Sequence, residues 1–280
     1  MSHKYELLSK LGQGQFGSVY LGKKRRGTTL VAIKIEYQDS PYRMLKHEAR
    51  ILHYLYEKGC ASIPTVFWYG LYEQHLGMAM SYYETSLENL VISGSMSSDS
   101  KNSEYYLEKM LDVVGHIHDH FVIHCDIKPQ NFMIRNGNLF LIDFGLSKIY
   151  VDEDKRPVLE TKIGDTILGT PKYISLYIHE GHSPARRDDV ISCLYVYLFS
   201  KMKTLPWENI PENATEVGRG LPPIHIDYYK NTERKRLKQS TNEALKVHPL
   251  GILLQRAYAC GFDERPCYKI DPLILSDTSK

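Results

Sequence analysis

The run His124-Cys125-Asp126-Ile127-Lys128-Pro129-Gln130-Asn131 is followed, twelve residues past Asn131, by Asp143-Phe144-Gly145. Together the two segments carry a carboxylate, a lysine, an amide and a second carboxylate in the order and spacing that phosphoryl transfer requires. Asp126 can accept a hydroxyl proton, and Lys128 can neutralise a transferring phosphate. Asn131 and Asp143 can share magnesium ions that bridge nucleotide phosphates. An Asp-Phe-Gly triplet alone arises often by chance, but the combined pattern does not. A chain carrying both segments is expected to fold so that they converge.

The N-terminal half supplies matching parts. Gly12-Gln13-Gly14-Gln15-Phe16-Gly17-Ser18-Val19 has the spacing G-x-G-x-x-G-x-V. Residues without Cβ let backbone N–H groups come close to a phosphate, and Phe16 at the tip can cover it. The loop joins two β-prone runs, whereas in a dinucleotide-binding fold a helix would follow. Lys34 ends the apolar run Val31-Ala32-Ile33, and Glu48 lies in a helical pattern over residues 44–52. Taken singly, a lysine or a glutamate is most often a solvated surface charge. Pairing changes the reading: Lys34 holds the α- and β-phosphates and Glu48 holds Lys34. In this order, from residue 11 to residue 145, the chain resembles a eukaryotic protein kinase. That resemblance implies an α+β, bilobal fold, with ATP and Mg2+ as nucleotide and cofactor.

Bulk properties agree with a soluble globular chain of 280 residues, 42% hydrophobic and 24% charged. A net charge of +2 gives no strong attraction to nucleic acid or anionic lipid, so neither is expected as a partner. The five cysteines, Cys60, Cys125, Cys193, Cys260 and Cys267, show no C-x-x-C spacing, which fits a reducing compartment. The first residues lack the apolar core of a signal peptide, and no run approaches the ~20 apolar residues of a membrane span. The expectation is an intracellular protein of nucleus or cytoplasm, with a monomer as the default.

Along the chain, residues 5–11, 18–23 and 29–36 read as strands, residues 42–57 as a helix, and residues 65–72 and 75–81 as a further strand pair. These make an N-lobe over about residues 1–80, followed by a hinge at 81–85. A mainly helical C-lobe over 86–270 and a short tail at 271–280 complete a single domain spanning 1–280. Residues 104–120 carry an apolar stripe (Leu107, Met110, Leu111, Val114, Ile117), and residues 187–202 read as a buried helix.

Finer features narrow the resemblance. Gly169-Thr170-Pro171-Lys172-Tyr173-Ile174-Ser175 closes the segment after Asp143 without the usual Ala-Pro-Glu. Arg186-Arg187-Asp188-Asp189 opens a helix and Leu205-Pro206-Trp207 follows it. Over residues 5 to 270 this looks like the casein kinase 1 family. The resemblance implies serine/threonine specificity, with Lys128 typical of that class and the Thr170 hydroxyl bonding Asp126 and Lys128. It implies a nucleotide pocket with Leu11, Val19 and Ala32 over the adenine, and Met80 as gatekeeper. Ser81 and Tyr83 would offer hinge backbone groups, and Met133 and Ile142 would form the floor. Asp189 would hold the catalytic-loop backbone. Substrates would be acidic or already phosphorylated proteins, with Lys172, Arg186 and Arg187 meeting the phosphate. The competing reading of the two arginines is a structural role at the helix start. The basic run at 232–239 could supply substrate contacts or an import signal, but such a run is more often a solvated helical face, and that is the reading taken.

Two departures from that family stand out. Cys125 replaces the arginine that normally receives an activation-loop phosphate, so activity independent of phosphorylation at Thr166 is expected. Ser175-Leu176-Tyr177 replaces Ser-Ile-Asn, so packing below the substrate groove must differ. The alternative from another class is a pseudokinase, an ATP-binding scaffold without transfer. It would be marked by loss of Lys34, Asp126, Asn131 or Asp143, and none is lost. A small-molecule phosphotransferase is disfavoured by the long segment between Gly145 and Tyr173.

Overall fold

The computed structural model describes residues 4–14, 17–38, 43–95, 100–164, 167–210, 223–271 and 274. Gln15, Phe16 and Thr166 fall outside the described residues, as does most of the expected tail. The chain divides into two compact units, Met1–Leu87 with Gln130–Ser147, and Glu88–Pro129 with Lys148–Lys280.

In the first unit, β1 (Tyr5–Gly14), β2 (Gly17–Lys24), β3 (Leu30–Glu36), β4 (Val66–Tyr72) and β5 (His75–Ser81) form one antiparallel sheet in the order β1-β2-β3-β5-β4. The central strand β3 explains the local arrangement. Side chains alternate along a strand, so Val31, Ile33 and Ile35 share one face, where they pack with Tyr5, Ala79, Trp68 and Tyr72. Ala32, Lys34 and Glu36 share the other. There the Glu36 carboxylate accepts the Leu45 backbone N–H at 2.9 Å. That N–H belongs to the first turn of α1 (Met44–Glu57), where a carboxylate is favoured by the helix dipole. Buried Leu45, Glu48, Ile51, Leu52 and Leu55 form one stripe of α1.

Residues 130–147 were expected beyond the hinge, yet they group with the first unit. The strands β6 (Thr85–Ser86), β8 (Phe132–Arg135) and β9 (Asn138–Leu141) form a small sheet in the order β6-β8-β9. The Leu141 N–H also donates to Ser62 O at 3.0 Å. A 3-10 turn at Phe144–Leu146 then packs on α1.

The second unit is mainly helical, with α2 (Leu87–Ile92), α3 (Ser100–Asp119), α4 (Leu176–His179), α5 (Arg186–Met202), α6 (Pro223–Ala244) and α7 (Pro249–Ala259). Two short strands, β7 (Val122–Ile123) and β10 (Lys148–Ile149), pair antiparallel. Every residue of α5 from Arg187 to Phe199 is buried, so it is covered on all sides. The expected α3 stripe supplies Leu107, Met110, Leu111, Val114 and Ile117, all buried, and α7 adds Leu250, Leu253, Leu254 and Ala257. Fully burying one such leucine or valine stabilises by roughly 1.5–3 kcal/mol. A five-stranded antiparallel sheet with one main helix in the first unit and a mainly helical second unit make the α+β composition that the sequence implies. No helix among the described residues is long and apolar enough to cross a membrane.

Candidate active site

The predicted site residues fall into two sets, each built within one unit. In the first, Lys34 Nζ lies 2.6 Å from Glu48 Oε2 and 2.8 Å from Asp143 Oδ1. Three independent local rules bring them there. Strand alternation turns Lys34 toward α1, the apolar stripe of α1 carries Glu48 inward, and the 3-10 turn after Asp143 rests on the same helix. Burial alone would pull the Lys34 pKa down, but the Glu48 and Asp143 carboxylates overcome it and raise it, so this amine stays charged. Burial pushes the Glu48 carboxyl up, and the Lys34 ammonium opposes that push.

Asp143 has φ +67°, a left-handed conformation uncommon for a non-glycine residue. The glycine loop begins at Gly12, Gln13 and Gly14 in β1 and resumes with Gly17, Ser18 and Val19 in β2. Gly14 pairs with Gly17 across that hairpin. A Cβ at Gly17 would lie 2.0 Å from Ile35 O, so only glycine allows β2 to approach β3 so closely there.

The expected adenine residues lie in this same unit. Ala32 pairs with Met80 across the sheet, and Val19 pairs with Lys34. Ala32, Met80 and Tyr83 are buried, and Leu11 is 47% exposed. The Ser81 N–H donates to Thr65 O at 3.0 Å. The Ile142 N–H donates to Asn131 O at 2.9 Å, fixing the strand carrying Met133 beside the segment leading to Asp143. The Asn131 amide and the Asp143 carboxylate offer the hard oxygen atoms that magnesium takes, and the 41% exposed Asp143 side chain leaves room for the waters the ion keeps. The donor set fits the metal.

In the second unit the Asp126 carboxylate is held at both ends. The Thr170 hydroxyl donates to Oδ1 at 2.6 Å and Lys128 Nζ donates to Oδ2 at 2.6 Å. Lys128 Nζ also reaches Thr170 Oγ1 at 3.4 Å. The loop beneath is fixed by Asp189, which accepts the backbone N–H of His124 at 2.6 Å and of Cys125 at 3.0 Å. His118 Nε2–H donates to the same carboxylate at 3.0 Å. Burial would raise the Asp189 pKa, but these partners outweigh it and lower it. His124 is fully buried, and its Nδ1 accepts the Asp126 N–H at 3.2 Å, a structural role. Cys125 has φ +68°, and a Cβ at Gly169 would lie 2.5 Å from Cys125 O. Gly169, at φ +94°, is therefore required for the segment to close over that loop and present Thr170.

The expected phosphate-binding trio is otherwise engaged. Arg187 is a correction: it is buried, its guanidinium lies 3.6 Å over the Tyr177 ring, and it donates to Cys260 O at 3.1 Å and to Glu160 at 3.0 Å. That is the structural role, and a substrate phosphate has no access to it. Arg186 stacks 4.6 Å over Tyr150 and bonds the Asp263 carbonyl. Lys172 bonds Glu208 at 2.6 Å. Tyr177, the departure noted below the groove, donates its hydroxyl to Tyr258 O at 2.7 Å. Two residues escaped the sequence reading. Glu160 joins Arg187 to His182, each at 3.0 Å. Lys238, in the basic run taken for a solvated face, is fully buried. Nothing local marks either one, because their partners lie 22 to 67 positions away in sequence.

Lys34 thus lies with Glu48 and Asp143 in the first unit, and Asp126 with Lys128 and Thr170 in the second. Residues 5–247 match the family described as Protein kinase domain. With that match over most of its length, the chain belongs to the protein kinase family.

Proposed function

We propose that this chain is an active, monomeric serine/threonine kinase of the casein kinase 1 type, working inside the cell on acidic or pre-phosphorylated proteins with Mg-ATP. The observation that carries the reading is the Asp126 carboxylate, clamped by Thr170 at 2.6 Å and Lys128 at 2.6 Å. A base held this way has one orientation toward an acceptor hydroxyl, and a positioned base contributes roughly 10²–10⁴-fold. In this reading Asp126 takes the proton of a serine or threonine hydroxyl. Lys128 offsets the negative charge that spreads over the transferring group. Lys34, kept charged by its two carboxylates, holds the α- and β-phosphates. Leu11, Val19, Ala32, Met80, Met133 and Ile142 give the adenine its apolar lining. Asn131 and Asp143 would hold magnesium, which when bound neutralises charge on the phosphate oxygens.

Lys172 and Arg186 are the remaining candidates for a substrate's acidic group, and such a group must displace Glu208 or the Asp263 carbonyl to reach them. The test is incubation with γ-labelled ATP, magnesium and an acidic protein, followed by phosphoamino-acid analysis. Phosphoserine or phosphothreonine is expected. Phosphotyrosine overturns the specificity, and nucleotide binding without any transfer indicates a regulatory scaffold. Peptides with and without phosphoserine three residues before the acceptor test the substrate class, and equal rates remove the primed-substrate reading.

A further inference from the structure

Lysines are almost never fully buried unless paired, and Lys238 of α6 is fully buried. Its Nζ donates to Ile174 O at 2.7 Å and Pro171 O at 2.8 Å, and meets His179 Nε2 at 3.1 Å. The three acceptors match the three N–H groups of an ammonium. The rings of Tyr195 and Trp207 lie 5.3 and 5.5 Å away, within cation–π range. Burial, and then the Arg234 cation, pull the Lys238 pKa well down, while the carbonyl acceptors and ring faces are the groups that favour an amine donor there. Burial, then the cations of Lys238, Arg234 and Lys235, lower the His179 pKa to about 2, so its ring stays neutral and offers Lys238 a lone pair. Neighbours in the basic run behave differently: Lys235 pairs with Glu180 and Arg236 with Glu233, both at 3.0 Å.

The two carbonyls that Lys238 holds belong to one turn. The N–H groups of Tyr173 and Ile174 donate back to Thr170 O at 2.8 and 3.2 Å. Between them Trp207 Nε1–H donates to Lys172 O at 2.7 Å. The carbonyls of residues 171, 172 and 174 are thus fixed by side chains from distant parts of the unit. At the head of the turn Thr170 reaches Asp126. We propose that Lys238 is a positioning residue: it anchors the Pro171–Ile174 turn and through it sets Thr170 against Asp126, so that an acceptor alcohol meets a correctly oriented base. This rests on the reading of Asp126 as the base. It also accounts for the missing Ala-Pro-Glu, since the end of the segment is tied by a buried lysine.

The test combines Lys238→Met, which keeps the apolar stem and removes the donors, with Thr170→Ala in a double-mutant cycle. Misplacement of a catalytic group by about 1 Å costs on the order of 10²-fold. Lys238→Met should therefore lower kcat for peptide phosphorylation by about that factor with KM for ATP unchanged, and should have little further effect in the Thr170→Ala background. Independent losses that multiply overturn the proposal, as does a lowered Tm with kcat intact. In parallel, amide exchange at Tyr173 and Ile174 should quicken in Lys238→Met and not in Lys235→Met; unchanged exchange at those amides also overturns it. Exchange reads the anchor whether or not the chain turns over, so an inactive wild type would sink the kinase reading separately. If the Met variant does not fold, Lys238→Gln, which keeps one shorter donor, is put through the same cycle and exchange measurement.

Discussion

Asp126 and Asp143 differ in surroundings, and the difference ranks their substitutions. Asp126 is 7% exposed and held by two side chains. The Asp143 side chain is 41% exposed and ion-paired to Lys34. Phosphoryl transfer passes through a loose, charge-spread state in which electrostatic stabilisation outweighs proton removal. In the proposed reading, where Asp143 holds magnesium, Asp143→Asn should therefore reduce kcat at least as much as Asp126→Asn, each by roughly 10²–10⁴-fold. Steady-state turnover of both variants decides it; an Asp143→Asn protein with wild-type kcat would refute the ranking. Asp188 gives a second residue-level expectation. Burial raises its pKa to about 6, opposed by hydrogen bonds from Ser175 and the Ala185 N–H. The folded state then binds a proton that the unfolded chain releases at its ordinary value of 3.8. This contribution is fully present below that value and is lost as pH rises through about 6, a change of roughly 3 kcal/mol. Urea titrations across pH 4–7 should show a shallower decline in Asp188→Asn than in wild type; parallel curves would show that Asp188 ionises freely.

At the scale of elements, the Lys34–Glu48 pair couples the sheet to α1. Removing one partner of a buried pair leaves an uncompensated charge and costs about 3–5 kcal/mol, whereas replacing both by apolar residues is often neutral. Lys34→Met should destabilise by that amount, because Glu48 is 0% exposed. The double variant Lys34→Met/Glu48→Leu should recover most of it, since a leucine continues the stripe of Leu45, Ile51, Leu52 and Leu55. A stable single variant in urea unfolding would mean that α1 relaxes and frees the carboxylate. The segment before Thr170 is also tied down. Glu160 is bonded to Arg187 and His182, the Ile163 N–H donates to Gly181 O at 2.8 Å, and the Ser183 N–H donates to Thr161 O at 2.8 Å. A carboxylate on the segment thus engages an arginine in the way a phosphate would, and Cys125 cannot serve as a phosphate receptor. Phosphatase treatment should leave the rate unchanged and Glu160→Gln should lower it. Strong activation by phosphorylation at Thr166 would overturn this account.

For the molecule as a whole, what could be read from the sequence was the part governed by local rules. The position after Val31-Ala32-Ile33 singled out Lys34, the helical pattern over residues 44–52 together with that lysine singled out Glu48, and motif spacing singled out Asp126, Asn131 and Asp143. Long-range partners had no such trace: Arg187 opposite Tyr177, Lys238 beneath residues 171–174, and residues 130–147 grouped with the first unit all depend on chain segments that meet only on folding. The 21 tyrosines acquire part of a rationale in the same way. Tyr150, Tyr177, Tyr195 and Tyr258 place their rings in the helical unit and satisfy their hydroxyls internally. The nucleotide reading has a consequence for global stability, because a ligand that binds only the folded state stabilises it by mass action. At 100 times its Kd the gain is about 2.7 kcal/mol, and a chain of this size gains about 2–4 °C in Tm per kcal/mol. Mg-ATP should therefore raise Tm by several degrees in a thermal melt. In Asp143→Asn the rise should fall to that given by ATP with a chelator, because the phosphate contact through Lys34 survives while the metal ligand is weakened. A wild-type Tm that Mg-ATP does not move at millimolar concentration would remove nucleotide binding, and with it the assignment of Lys34, Asn131 and Asp143.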